Sequence, residues 1–398
     1  MQSRKRDHMT ITHRAARRTR VLTALAVGAA LTATLAACSS DSDDGGSASA
    51  PSGETSADSA LAQEITTLEQ PLDAFPVPTD KVDGVADLAG GTIYYVPITS
   101  RAPQFAITQA EITVAAKAAG LKVQACDGKG TPTDISACIT QATHAKAVGI
   151  VLDGLAYDMA ANAIEGAQKA GVPVVISNQM TDERHPATET FSNVGTAGSP
   201  QMIALAKWIM FDSGGKANVL INEATDGASQ IAYVEAAVDE FTKDCPDCTV
   251  TVNKVSSASF DQIPSSTSSA LLKNPDIDYV ISEFAEFLQP TAQGVQQASA
   301  KVTMTTAASA LSTLKELKGG ATLQAATAQA AGYQGWVDVD AILRLHAGQD
   351  VPEYEVPTRL FTPDTLDGVE LTSDAEQTGA WFGPATYTDD FTALWGVN

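Results

Sequence analysis

The sequence predicts an α/β chain built from two successive doubly wound parallel sheets, each a Rossmann-like lobe. Three observations carry this. Short apolar runs rich in Val, Ile and Tyr recur at 92–97, 122–125, 147–152, 172–177, 217–221, 249–255 and 279–282. Helical patterns fill the intervals, at 104–119, 133–145, 159–170, 200–211, 228–243, 262–273 and 289–300. Runs such as Ala147-Val-Gly-Ile-Val-Leu152 are apolar on both faces, as a strand covered by helices on each side requires. Strands alternating with amphipathic helices mean right-handed βαβ units. Gly120 and Gly171 stand where helices end, and Pro132 where one begins. Two sheets fit the run of elements better than one: the first over 92–195, the second over 217–305, with Gly195-Thr-Ala-Gly198 as the crossing.

The segment ahead of the first strand is not part of either sheet. Residues 1–37 hold seven of the 25 basic residues and one of the 47 acidic ones, which leaves 18 against 46 and a net charge of −28 for the remainder. A body this acidic repels phosphate backbones and anionic lipid headgroups, which argues against nucleic acid as a partner. The basic stretch to Arg20 and the small apolar run 21–37 have the form of a signal peptide, too short for a membrane span. Leu35-Ala36-Ala37-Cys38 resembles the bacterial lipobox. The resemblance implies cleavage before Cys38 and lipidation of its thiol; the other reading is an uncleaved anchor with an incidental cysteine. Arg17-Arg18 is followed by residues that fit a twin-arginine signal poorly, and both Met1 and Met9 are possible starts. Residues 39–60, nearly all Ser, Asp, Gly, Ala and Thr, read as a flexible tether. Within 38–90 a short helical pattern at 61–68 precedes Pro71, Pro76 and Pro78, which favour an extended path.

Four further cysteines remain, an even number in an exported chain, so two disulfides are expected. Of three possible pairings the sequence-local one, Cys126–Cys138 with Cys245–Cys248, is preferred. Cys245-Pro-Asp-Cys248 lacks a second ligand pair for zinc, and only His144, His185 and His346 lie beyond residue 38. It follows a helical pattern and precedes a strand, the reverse of a thioredoxin-like site.

The ordered motifs then resemble one family. Gly171-Val-Pro-Val-Val-Ile176 is similar to the helix-to-strand passage of ribose-type (type I) periplasmic binding proteins of ABC transporters. Phe191-Ser-Asn-Val-Gly195 resembles their first crossing strand, and Asn274-Pro-Asp-Ile-Asp-Tyr-Val-Ile281 one of their second-lobe strands. Ala326-Thr-Ala-Gln329, Gly335 and Ala347-Gly-Gln-Asp-Val-Pro352 resemble the segment that returns to the first lobe. The resemblance covers 92–358. It implies two lobes joined by a three-crossing hinge, 92–195 with 330–358 and 196–329, and a solute caught between them. Residues 359–398, with Trp381, Phe382, Tyr387, Phe391 and Trp395, are expected to dock on this body through a helix at 389–395, or else to bind a partner.

In open α/β sheets ligands sit at the carboxyl ends of the strands. The candidate loops are 98–105, 126–133, 153–158, 178–184, 222–230, 283–287, 307–311 and 327–333. Several depart from the family. Its Asn-Pro-Phe-Phe stands here as Ala102-Pro103-Gln104-Phe105, its Asp-Arg pair as Asn178-Gln179, and its Asn-Asp as Phe284-Ala285. The expected helix arginine is replaced near Gln230 or Ala232, and an aspartate by Ala308; Gln329 matches. Losing bidentate charged groups removes the partners that offset desolvation of sugar hydroxyls. Gln104 is a candidate ligand contact, and Phe105, Asn178, Gln179, Phe284 and Gln329 would suit a less polar neutral solute such as one with a flat ring. The alternative is that Asp127, Asp153, Tyr157, Glu223, Asp226 or Glu283 supply hydroxyl contacts and the ligand is a sugar. Strand-end acids are also common as helix caps. Asp127-Gly-Lys-Gly-Thr131 lacks the spacing of a phosphate-binding loop.

Three functions compete: a receptor delivering solute to ABC permease subunits, a sensor of the same fold, and an exported enzyme. No Gly-x-Ser-x-Gly, HExxH or nucleophile–His pair supports the third. The expectation is a monomeric, lipid-anchored receptor on the outer face of the cytoplasmic membrane, without catalysis, metal or cofactor.

Overall fold

Two sheets organise the residues that this computed structural model describes, 56–195 and 198–397. The expected signal peptide, Cys38 and residues 39–55 of the expected tether lie outside them. The chain opens on helix α1 (Ser56–Glu69), whose first turn falls inside the stretch expected to be tether. The reason is tertiary: Ile65 buries itself against the Met202–Met210 helix, with Leu61 and Leu68 packed beside it, and this anchors a segment of weak intrinsic signal.

The first sheet takes β1 (Thr92–Pro97), α2 (Pro103–Ala118), β2 (Lys122–Ala125), α3 (Pro132–His144), β3 (Gly149–Asp153), α4 (Ala161–Lys169), β4 (Val174–Ser177) and β5 (Phe191–Asn193). Its strands are all parallel in the order β2-β1-β3-β4-β5. The second takes α5 (Gly198–Asp212), β6 (Asn218–Ala224), α6 (Ala228–Asp244), β7 (Thr249–Val255), α7 (Ile263–Lys273), β8 (Tyr279–Ser282), α8 (Leu288–Ala298), β9 (Thr303–Thr306), α9 (Leu311–Gly319) and β10 (Leu323–Gln329). Its order is β11-β10-β9-β8-β6-β7, parallel except for the antiparallel edge β11 (Thr358–Phe361). Each order reverses once, between β1 and β3 in the first sheet and between β6 and β8 in the second. Those two reversals are where a doubly wound sheet opens a crevice.

After β10 the chain forms α10 (Ala331–Ala347), which packs on the first sheet and on α2. Small residues allow this approach: a Cβ on Gly335 would lie 2.8 Å from the Thr108 carbonyl oxygen, and one on Gly149 would lie 2.5 Å from Ile342. β11 then rejoins the second sheet. The remaining chain, with α11 (Ser373–Thr378) and α12 (Tyr387–Trp395), returns to cover α10. α12 starts two residues before the expected 389 and turns Tyr387, Phe391 and Trp395 inward, at the i, i+4, i+8 spacing of one face. Trp395 stacks on Trp336 at 5.5 Å and 12°. Its indole N–H donates to Asp340 Oδ1 at 2.7 Å. Asp340 is fully buried and receives Arg344 Nε at 2.7 Å and the Tyr354 hydroxyl. The segment before β1 joins the same layer, with Val82 N–H donating to Leu394 O and Arg344 to Asp80 O.

The disulfides are the sequence-local pair, Cys126–Cys138 and Cys245–Cys248. The first ties the loop after β2 to α3. No helix among the described residues is long and apolar enough to cross a membrane.

Trp395→Ala removes a buried ring and leaves one oxygen of Asp340 short of a donor. We expect a loss of roughly 3–5 kcal/mol in urea unfolding monitored by circular dichroism, with the native spectrum otherwise retained.

Candidate functional site

The carboxyl ends of both sheets meet in one cleft, and buried polar groups line the meeting. In the first lobe Asp153 closes β3 and is fully buried. Tyr95 on β1 donates its hydroxyl to Oδ2 at 2.6 Å, and Asn178, just after β4, donates its amide to Oδ1 at 2.7 Å. The Tyr95 hydroxyl also lies 3.1 Å from the carbonyl oxygen of Phe105. Burial pushes the Asp153 carboxyl up to about 6, against the pull of its two hydrogen bonds. Below it Asp338 of α10, equally buried, accepts from Ser177 and from Gln334 Nε2. Burial, then the nearby Asp153, holds the Asp338 carboxyl well above its usual range.

Asn178 sits at φ +54°, a conformation Asn tolerates better than most residues. Its Oδ1 accepts from Gln329 Nε2 at 2.7 Å. Gln329 Oε1 accepts from Gln201 Nε2 of α5 at 3.3 Å, and Gln201 Oε1 from the Ala308 N–H at 3.0 Å. This amide chain runs from the first lobe, through the end of β10, to the loop after β9. A second contact lies alongside. Ser229, at the start of α6, donates to Gln179 Oε1 at 2.7 Å and accepts the Met180 N–H at 3.2 Å, and Tyr233 donates to Asn178 O at 3.3 Å.

On the second sheet, Glu223 and Glu283 end neighbouring strands at the β6/β8 reversal and are 4% and 1% exposed. The Ala224 N–H donates to Glu283 Oε2. Burial holds the Glu283 carboxyl well above its usual range; the Ala224 N–H works against this, while Glu223 and Asp226 add to it.

Other expected residues have different work. Asp127 accepts from Ser100 N and Oγ and from Lys129 N, clamping the loops after β1 and β2 together. Asp226 accepts from Ser256 and Ser257 and clamps the loops after β6 and β7. Tyr157 stacks on His185 at 3.7 Å and meets Gln168. Phe105 is buried over Gly154, where a Cβ would come within 2.7 Å of its ring, and Gly154 has φ +72°. Phe284 is half-buried and meets Phe287 edge-on. Gln104 lines a narrow crevice, with room for no more than about 10 Å3, together with Ile107, Ser309, Gln329 and Trp381. The structure thus joins Asp153, Asn178 and Gln329 directly, and sets Gln179, Glu223 and Glu283 on the facing surfaces. Tyr95, Gln201, Ser229 and Asp338 were not expected. Gln201 and Asp338 do have a signal, a polar residue directly beside large apolar ones within a helix. As for metals, Asp158, Asp182 and His185 converge on the surface, but Arg184 bridges both acids at 2.7 and 2.6 Å.

Comparison with known proteins places this arrangement. The periplasmic binding protein domain family matches residues 93–350, and the chain belongs to that family. It is a family of binding proteins, not enzymes. No curated protein matches the sequence significantly. Solved structures share the fold. The 5-methylthioribose transporter solute-binding protein of Thermotoga lettingae, in complex with 5-methylthioribose, has a TM-score of 0.63 at 16% identity over 77% of this chain and 97% of that one. An ABC transporter solute-binding protein from Agrobacterium vitis, bound with α-D-tagatopyranose, has a TM-score of 0.63 at 17% identity over 70% and 96%. One from Actinobacillus succinogenes, with bound D-allose, has a TM-score of 0.61 at 19% identity over 70% and 100%.

Asp153 sets a pH dependence. Its carboxyl is raised in the folded chain, so its favourable term is complete below about pH 4 and is lost as pH rises through about 6. The loss is roughly 3 kcal/mol. Asp153→Asn mimics the protonated state, with Tyr95 turning its hydroxyl to the Phe105 carbonyl. We expect the variant to flatten the fall in unfolding free energy between pH 4 and 6.5, read by urea titration at each pH.

Proposed function

We propose that this chain is an exported, lipid-anchored receptor that captures a small solute, a sugar or a less polar neutral compound, between its lobes and delivers it to ABC importer permease subunits. One observation carries the reading: a continuous polar chain, Asp153–Asn178–Gln329–Gln201–Ala308, crosses between the lobes at the depth where both sheets reverse. Such a chain offers donors and acceptors that a solute can take over on binding. The relatives of known structure support it, since three of them hold a sugar or sugar derivative in this fold.

The contacts fall to Gln104, Asn178, Gln179, Glu223, Glu283, Phe284 and Gln329, with Asp153 fixing Asn178 from beneath. Asp127, Asp226, Tyr157 and Phe105 hold the loops that carry them. Phe284, beside Glu283, gives the cleft an apolar patch for a ring face. Cys38 provides the membrane anchor, and the receptor works as a monomer.

Two measurements test this. Residues 39–398 are heated with single solutes from a panel of free sugars, sugar alcohols, nucleosides and small neutral aromatic compounds. A solute at 100 times its dissociation constant stabilises the fold by about 2.7 kcal/mol, a shift of a few degrees, and Asn178→Ala abolishes that shift. A panel with no active member counts against solute capture. In cells, Cys38→Ser releases the chain from the membrane fraction; continued membrane retention of that variant sinks the lipid anchor.

A further inference from the structure

A row of charged side chains crosses the floor of the cleft on the second lobe. Register pairs Glu223 with Lys254, and the pairs Ile221–Ile281 and Asn222–Ser282 put Glu283 beside Glu223 on the next strand. Alternation along the strands sends Glu223 and Glu283 to one sheet face. The next position across is Ala307, and the Ala308 N–H holds Gln201 of the interlobe chain. The row therefore lies where the two lobes meet.

Its hydrogen bonding is incomplete. Glu283 Oε2 accepts from Ala224, but Oε1 of Glu283 and Oε1 of Glu223 have no hydrogen-bond partner among the described residues, though both are buried. Lys254 lies 3.7 Å from Glu223 Oε1, with its side chain 70% exposed. Buried carboxylates are ordinarily paired and hydrogen-bonded, because desolvation costs several kcal/mol per ion. Around the row stand more acids. Asp226 acts on both Glu283 and Glu286, and Glu286 is countered from the first lobe by Arg101.

We propose that Glu223 and Glu283 form a cation subsite of the cleft, and that the captured solute is a polyhydroxylated compound carrying a protonated amine. The inference rests on the reading of the cleft as the solute site, and it replaces the neutral solute with a cationic one. An ammonium group offers three N–H donors and a full charge, which matches two neighbouring oxygens that only accept. A neutral hydroxyl donates once and leaves one oxygen unpaired. A metal ion fits less well: hard divalent cations want six or more oxygens, and both Asp226 oxygens are committed to Ser256 and Ser257.

The binding step is linked to a proton. Burial raises the Glu283 carboxyl, and an entering ammonium favours its ionised form, any proton it held leaving to solvent. Acidification therefore opposes amine binding.

The test is isothermal titration of residues 39–398 with matched pairs: D-glucose against D-glucosamine, D-galactose against D-galactosamine, and sorbitol against 1-amino-1-deoxysorbitol. We expect at least one amine to bind roughly 10- to 100-fold more tightly than its hydroxyl partner. Titration in buffers of different ionisation enthalpy should show proton release, and affinity should fall as the pH is lowered. Glu283→Gln should erase most of the amine preference, weakening the amine far more than its hydroxyl partner. Should that variant not fold, Glu223→Gln and the wild-type pH profile give the same reading. A hydroxyl partner that binds as well as its amine, with no proton exchange, overturns the cation subsite and leaves solute capture standing. Failure of every probe to bind counts against solute capture itself, and the subsite falls with it.

Discussion

A fully buried carboxylate cannot rely on water, and Asp153 meets that constraint with Tyr95 on one oxygen and Asn178 on the other. The rest of the interlobe contact follows from this choice. An ionised Asp153 only accepts, so Asn178 must present its NH2 group to it and its carbonyl oxygen outward. Gln329 must then present NH2 to Asn178, and Gln201 must present NH2 to Gln329. At the far end, Gln201 turns its oxygen to a backbone N–H, which only donates. Both ends dictate the same orientation, so no amide in the chain has a free choice. Ala308, at φ +52°, holds its N–H in place at one end, as Asn178, at φ +54°, holds its amide at the other. Two uncommon backbone conformations at matching ends of one hydrogen-bond chain are how such strain survives: the surroundings over-determine it.

The two lobes are also bound from outside by the chain ends. α1 lies against α5, with Lys207 paired to Glu64 and Arg359 donating to Glu69 O, so its anchor is the second lobe. The following residues reach the first, where Tyr333 donates to Pro76 O. The C-terminal stretch makes the opposite journey from β11 to α10, and on its way Glu376 accepts the Leu311 N–H of the second lobe. A rotation of one lobe on the other must bend these segments together with the hinge. The buried group around Asp340 is what lets them seat: a carboxylate in the α10 interior is satisfied by Arg344, Tyr354 and Trp395, drawn from three parts of the chain.

Much of this was legible in the sequence, for stated reasons. Strands apolar on both faces announced parallel sheets, and motif order separated two lobes. β9 escaped notice because Thr303-Met-Thr-Thr306 is too polar to stand out, although three of its four residues are buried. The site was legible as a set of strand-end acids but not as to what each acid does. Asp127 and Asp153 carry the same signature, an acid closing or following a strand. What separates them is Ser100, which offers Asp127 a hydroxyl and an N–H near the surface, and Tyr95, which meets Asp153 in the interior. Asp226 and Glu223, three residues apart, divide in the same way: one is clamped by serines in the open, the other is buried. Such partners come from elsewhere in the chain, and periodicity says nothing of them.

The distribution of charge across the cleft then constrains how it can close. The first lobe brings Asp153 and Asp338; the second brings Glu223 and Glu283, with Asp226 and Glu286 nearby. Their cationic counterparts, Lys254 and Arg101, are exposed. Like charges brought together out of water repel far more strongly than at the surface, so closure of the empty cleft is compatible only with partial neutralisation. Burial works towards it: the Asp338 and Glu283 carboxyls, one in each lobe, are both raised well above the usual range, and each has a second acid beside it. Fixed donors on Tyr95 and Asn178 face Asp153 in the first lobe, and only the loose Lys254 faces Glu223 in the second. The first of these is fully compensated by fixed donors. The second is not, and it is the position at which the free energy of the closed form remains open to whatever enters the cleft.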